Sequence, residues 1–153
     1  MVATVPRRLR PTAEIHPEAI LVGDPGRAMA LAQVLTVGPK MANHARGLWG
    51  YSGRTTEGRG LTVQATGMGG PSAALVLSDL AELGVRRAVR VGTCAAIDPR
   101  LRPGDLVMVS EARPWSVDGR GAGPPAFPDA AMAKGLSEAL GEGAREVRVA
   151  SLD

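Results

Sequence analysis

An α/β fold is what this sequence predicts, and three observations predict it. Short apolar runs suited to strands alternate with segments whose apolar residues recur at helical spacing. The run Ala19-Ile20-Leu21-Val22 is continuously apolar, as a strand buried on both faces requires. The stretch from Thr66 to Thr93 reads in succession as strand end, glycine turn, helix and next strand.

Composition bounds the rest. A chain of 153 residues fits one domain and can bury a proper core. Aromatic residues make up only 3%, so alanine, valine, leucine and glycine must carry the packing. The formal charge of +3 comes from scattered arginines without an aromatic-studded basic face, which favours anionic small molecules over nucleic acid as partners. The single cysteine, Cys94, excludes an intrachain disulfide and suits a reducing compartment. No apolar run approaches the roughly 20 residues that span a bilayer, and the opening residues lack the apolar region of a signal peptide. A cytoplasmic protein with no membrane partner is expected.

In chain order, residues 1–17 carry Pro6, Pro11 and Pro17 among arginines and read as an N-terminal arm, loosely structured or laid on a neighbour; residues 18–153 read as the α/β domain. After the first strand, Asp24 can cap a helix that has Pro25 in its first turn and runs to Leu35. Arg27 then stands near a helix N-terminus, where the dipole disfavours a cation unless an anion shares the site; an exposed surface arginine is the plainer reading. Residues 38–46, with Asn43, His44 and Arg46, read as a loop. Gly47–Gly53 and Leu61–Thr66 read as two strands joined around Glu57-Gly58, with Trp49 and Tyr51 as strand packing. His44 has no adjacent acidic partner that would mark it as a proton carrier, and His16, between Ile15 and Pro17, has less to recommend it.

Thr66-Gly67-Met68-Gly69-Gly70-Pro71-Ser72 opens the next helix. Its glycines allow positive φ and close approach of backbone N–H groups to a ligand. Ala73, Leu75, Val76, Leu77, Leu80 and Leu83 keep helical spacing to a stop at Gly84. The helix N-terminus and turn amides favour an anion, and Arg90 with Thr93 can add charge and a donor at the neighbouring strand end. Ordinary turn glycines in a strand–helix–strand unit are the alternative. Cys94 lacks an activating histidine and reads as a small buried wall residue. Asp105–Val109 is a further strand and 113–128 a Gly/Pro-rich loop with a turn signal at Asp118-Gly119. A helix over 129–140 is capped by Asp129, and Val147–Ala150 begins a last strand.

Three motifs, Gly23-Asp24-Pro25-Gly26-Arg27, Thr66-Gly67-Met68-Gly69-Gly70-Pro71-Ser72 and Arg90-Val91-Gly92-Thr93-Cys94, resemble in order and spacing those of the purine nucleoside and uridine phosphorylases. Arg46-Gly47-Leu48-Trp49-Gly50 and Leu101-Arg102-Pro103-Gly104-Asp105 are similar too, and the likeness runs from about Ile20 onward. The family helix usually has isoleucine and glutamate where this chain has Leu75 and Asp79. The resemblance implies a three-layer α/β/α fold with a mixed central sheet, truncated at the C-terminal end.

By the resemblance, phosphate is held by Gly23, Arg27, Arg90 and Thr93, with Arg46 reaching in from a neighbouring subunit. Met68 lies by the ribose, and Cys94 and Ala95 line the base pocket. Phosphate attacks the anomeric carbon of a nucleoside, with no cofactor, no metal and no covalent enzyme intermediate; the family assembles as hexamers built of dimers. The catalytic residues that grip ribose and base are expected beyond Asp153, in a C-terminal third that this chain lacks. The family's N-terminal sugar-site histidine also has no match, Arg7 standing near its position. A nucleoside phosphorylase is the expectation, with purine nucleosides preferred from Arg46–Tyr51. Ile97-Asp98-Pro99 and Phe127-Pro128 read equally like uridine phosphorylases, and methylthioadenosine phosphorylase is a further option. A non-catalytic phosphate- or nucleotide-binding relative is the alternative. A Rossmann-type cofactor binder fits least, since the first glycine turn lacks the spaced dinucleotide fingerprint.

Overall fold

The structure, a computed structural model, describes residues 8–115 and 123–152. The chain divides into two compact units, one ending at Thr93 and one beginning at Cys94, where the sequence reading expected one domain from residue 18.

The first unit is built on a five-stranded mixed sheet of order β2-β3-β4-β1-β5. Its elements are β1 (Glu18–Val22), α1 (Pro25–Leu35), β2 (Val37–Asn43), β3 (Gly50–Arg54), β4 (Gly60–Ala65), α2 (Gly70–Glu82) and β5 (Arg87–Arg90). Strand β1 is central and runs parallel to β4 on one side and β5 on the other, while β2, β3 and β4 are successively antiparallel.

The continuous apolar run of β1 serves both faces, because alternate side chains of a strand point to opposite sides. Ala19 and Leu21 pack with Leu9, Val76, Leu80 and Val85 under α2. Val22 packs with Val63, Ala65 and Tyr51 against Ala28 and Ala32 of α1. Helices on both faces make this unit three layers, α/β/α. Asp24 caps α1, accepting from the Arg27 amide at 2.7 Å, Pro25 and Pro71 occupy first helical turns, and Gly84 ends α2 with φ +101°. Leu75 and Leu77 face outward, so only part of the apolar pattern of α2 is core.

Two expectations are corrected. Residues 37–43 are a strand, not a loop. Gly38 and Pro39 disguise it, but β2 is an edge strand with a register shift between Val37 and Lys40, and edges tolerate proline and bulges. The described part of the N-terminal arm is also not loose. Leu9 is buried, the amides of Arg8 and Leu9 donate to the carboxylate of buried Asp79 at 2.8 and 3.0 Å, and the Arg8 guanidinium adds a contact of 2.9 Å. The Arg10 amide donates to Asn43 Oδ1, the Thr12 amide to Ala42 O, and the His16 amide to Thr62 Oγ1. Asp79 thus ties Arg8 and Leu9 to α2 by charge-assisted bonds, and the contacts of Arg10, Thr12 and His16 hold the rest of the segment to β2 and β4.

The second unit pairs β6 (Leu106–Trp115) with β7 (Ala144–Leu152) in parallel, with α3 (Ala130–Leu140) between them in sequence. Asp129 caps α3 by accepting from the Met132 amide at 2.9 Å. Both strands run longer than their apolar residues alone suggest. None of this unit's described residues is fully buried. The Asp118-Gly119 turn signal and Arg7 lie outside the described residues.

Candidate functional site

The carboxyl ends of β1, β4 and β5 lie side by side, since Val22 is in register with Ala65 and Leu21 with Arg90. From β1 the chain passes to β4 on one side and then crosses to β5 on the other, so β1 sits where the strand order reverses. Ligands of open α/β sheets collect at that point.

The loops there are close-set. The Thr66 amide donates to Val22 O at 2.7 Å, and the Val91 amide to Leu21 O at 2.8 Å. Gly23, half-buried, faces Gly67: a Cβ at Gly23 would lie 3.6 Å from Gly67 O. Gly67 itself has φ +73°, and a Cβ there would meet Ser72 Oγ at 2.9 Å, so the turn needs glycine for both conformation and space. Ser72 Oγ donates to Thr66 O at 2.6 Å, fastening the turn to the start of α2, whose cap, Gly69, brings no side-chain oxygen to the first-turn amides.

Three of the predicted phosphate residues bring cations to this edge or its flank. Arg27 is exposed in the first turn of α1, and Arg90 is exposed at the end of β5. Arg46 occupies a short 3-10 turn, Ala45–Gly47, just before β3, whose antiparallel course starts at the same edge. The backbone of Arg46 is left-handed, φ +59°, and a Cβ at Gly67 would lie 3.6 Å from the Leu48 side chain. Among the described residues none of these three guanidinium groups makes an ion pair or hydrogen bond, and no carboxylate answers them.

Thr93 follows Arg90 just past the strand end and is exposed, as is Met68 on the glycine turn. Cys94 and Ala95 belong to the second unit; both are exposed, so Cys94 is not the buried wall residue expected, because its irregular segment lies within no packed element. Gly23, Arg27, Arg46, Met68, Arg90 and Thr93 are thus grouped on the first unit. Among the described residues no cluster of His, Cys, Asp or Glu could hold a metal ion, and no helix is long and apolar enough to cross a membrane.

Three polar residues of structural weight escaped the sequence reading. Asp79 secures the N-terminal segment, while Asn43 and Gln64, both fully buried, hold the backbone around the Arg46 turn. Their signal was a polar residue at a core position, which demands partners.

At the opposite edge two arginines do have a carboxylate partner. Glu18 at the start of β1 accepts from both Arg59 and Arg87, and the bond from Arg59 leads the causes that hold its carboxyl below the ordinary range. A shallow recess of about 320 Å³ lies there, lined by His16, Glu18, Arg54, Arg59 and Gly60.

The DeoD-type purine nucleoside phosphorylase of Geobacillus kaustophilus is 39% identical over 102 residues, covering 66% of this chain and 43% of the relative. The enzyme of the same name from Oceanobacillus iheyensis is 38% identical over 100 residues, and that from Clostridium novyi 37%. The match spans less than half the length of these curated relatives. A family model described as the phosphorylase superfamily matches residues 17–151, nearly the whole chain, and to that superfamily the chain belongs.

Proposed function

We propose that the first unit carries the phosphate site of a nucleoside phosphorylase that prefers purine nucleosides. The observation that carries this reading is that the guanidinium groups of Arg27, Arg46 and Arg90, at or flanking the sheet's carboxyl edge with its glycine turn, have no ion-pair partner among the described residues. A guanidinium group without counter-charge favours an anion, and a phosphate can accept charge-assisted bonds from Arg27 and Arg90 of one chain and from Arg46 of a neighbouring copy. Gly23 lets the backbone approach it, and Thr93 adds a hydroxyl.

In the proposed reaction a phosphate oxygen forms a bond to the anomeric carbon of the ribose. The electron pair of the glycosidic C–N bond leaves with the base, which takes up a proton. The arginines orient the nucleophile and offset its charge as the sugar becomes oxocarbenium-like. Inorganic phosphate is the co-substrate, with no cofactor. By the family resemblance Met68 is assigned to the ribose and Cys94 and Ala95 to the base, and a neighbouring copy in a cytoplasmic homo-oligomer lends Arg46. The purine preference draws support from the names of the relatives.

A phosphate-binding chain without turnover of its own is the second reading, favoured because the match covers under half of each relative. Both are tested by incubating the purified chain with inosine, adenosine, uridine and methylthioadenosine, with and without phosphate, while following its melting temperature. Phosphate-dependent release of a purine supports the first reading. Thermal protection by phosphate without turnover supports the second. Absence of both overturns the site. Cys94→Ala is expected to leave protection intact.

A further inference from the structure

The Arg46 turn hangs from two buried carboxamides. Gln64 Nε2 donates to Leu48 O at 2.9 Å, to Ala65 O at 2.9 Å and, more weakly, to Trp49 O at 3.4 Å. Asn43 Nδ2 donates to the same Leu48 O at 2.5 Å, and its Oδ1 accepts from the Arg10 amide. Three carbonyls fix the sense of the Gln64 amide, because turned over it would set oxygen against oxygen. Its Oε1 is thereby left without a partner, pressed against Gly50, where any Cβ would displace it. A buried orphan acceptor is costly, so the donor side of this amide has a use that outweighs it. The segment it fastens, Leu48–Trp49, lies just downstream of Arg46, the one non-glycine residue with positive φ among the described residues. Such a backbone persists only where its surroundings over-determine it.

We infer that Gln64, with Asn43, is a positioning residue that locks the Leu48–Trp49 carbonyls and so presents Arg46 for anion binding. The proposal rests on the phosphate reading for the task of Arg46, while the lock itself stands on geometry alone.

The test uses the 153-residue chain and its Gln64→Met variant, which keeps length and removes the donors, with trypsin and inorganic phosphate as probes. Cleavage after Arg46 should quicken by about tenfold while cleavage after Arg27 and Arg90 keeps its rate, and phosphate affinity should fall by about tenfold, as far as in Arg46→Ala. Unchanged cleavage after Arg46, a uniform rise at every site, or undiminished phosphate affinity overturns the proposal. Wild-type chain that binds no phosphate defeats the phosphate reading, and the trypsin comparison still decides the lock. Should Gln64→Met fail to fold, amide exchange of the wild-type chain decides: Leu48 and Ala65 amides protected like the interior of β4 uphold the lock, and exchange at the rate of an exposed turn removes it.

Discussion

The two ends of one sheet treat their arginines differently. At the amino edge, Arg59 and Arg87 share the carboxylate of Glu18. At the carboxyl edge, Arg27, Arg46 and Arg90 are exposed too, and no carboxylate pairs with their guanidinium groups among the described residues. Arg87 and Arg90 bound the same strand, so neither residue type nor exposure separates them; the counter-charge does. An arginine neutralised within the protein stabilises structure slightly, whereas a set left unneutralised around a glycine turn is a standing demand for an anion.

The sharpest way to break this contrast is to truncate both ends of β5. Arg90→Ala should weaken inorganic phosphate binding by about a hundredfold, as loss of a charge-assisted contact predicts, while Arg87→Ala should change it less than about twofold. Calorimetric titration of the two variants checks this, and equal losses would dissolve the distinction. Next in size is Asp79→Asn, which opposes an amide to the donors of Arg8 and Leu9 and should cost about 2–3 kcal/mol in denaturant unfolding.

Asp79 also predicts a pH dependence. Burial alone would raise its pKa, but the Leu9 and Arg8 amides and the Arg8 guanidinium together outweigh that and hold it below the ordinary carboxylate value. The stabilisation is therefore complete above the unfolded value of about 3.9 and is lost as pH falls through the lower folded value, because the unfolded chain binds the proton first. Asp79→Asn should flatten this acid limb of the unfolding curve. Gly67→Ala, at φ +73° with Ser72 in the way, should cost about 1–2 kcal/mol and weaken phosphate binding without touching a charge. Smallest is Glu18→Gln. It should cost less than about 1 kcal/mol, and weak, salt-sensitive anion binding at the amino edge would then show that carboxylate balance alone separates the two edges.

The same pattern was unequally informative in the two units. Ala19–Val22 and Leu106–Val109 are comparable apolar runs, yet only the first is enclosed: Val22 and Leu21 are buried, while Leu106 and Val109 remain exposed. Periodicity states which residues can be covered, not whether anything covers them. It also misjudged β2, whose Gly38 and Pro39 speak for a loop until antiparallel pairing with β3 makes an edge strand of them, and it left Asn43 and Gln64 without a role.

By itself the sequence determined the alternation of strands and helices, the caps at Asp24 and Asp129, the glycine turn after β4 and the residue types suited to an anion. These follow from local rules in which a few neighbouring residues settle backbone conformation. Only the tertiary structure decided that the ends of β1, β4 and β5 stand in register, that Glu18 reaches Arg59 and Arg87 while no acid among the described residues reaches Arg90, and that Asp79 anchors the Arg8–Leu9 segment. Those are contacts between residues far apart in sequence, and no local pattern specifies which distant side chain will arrive.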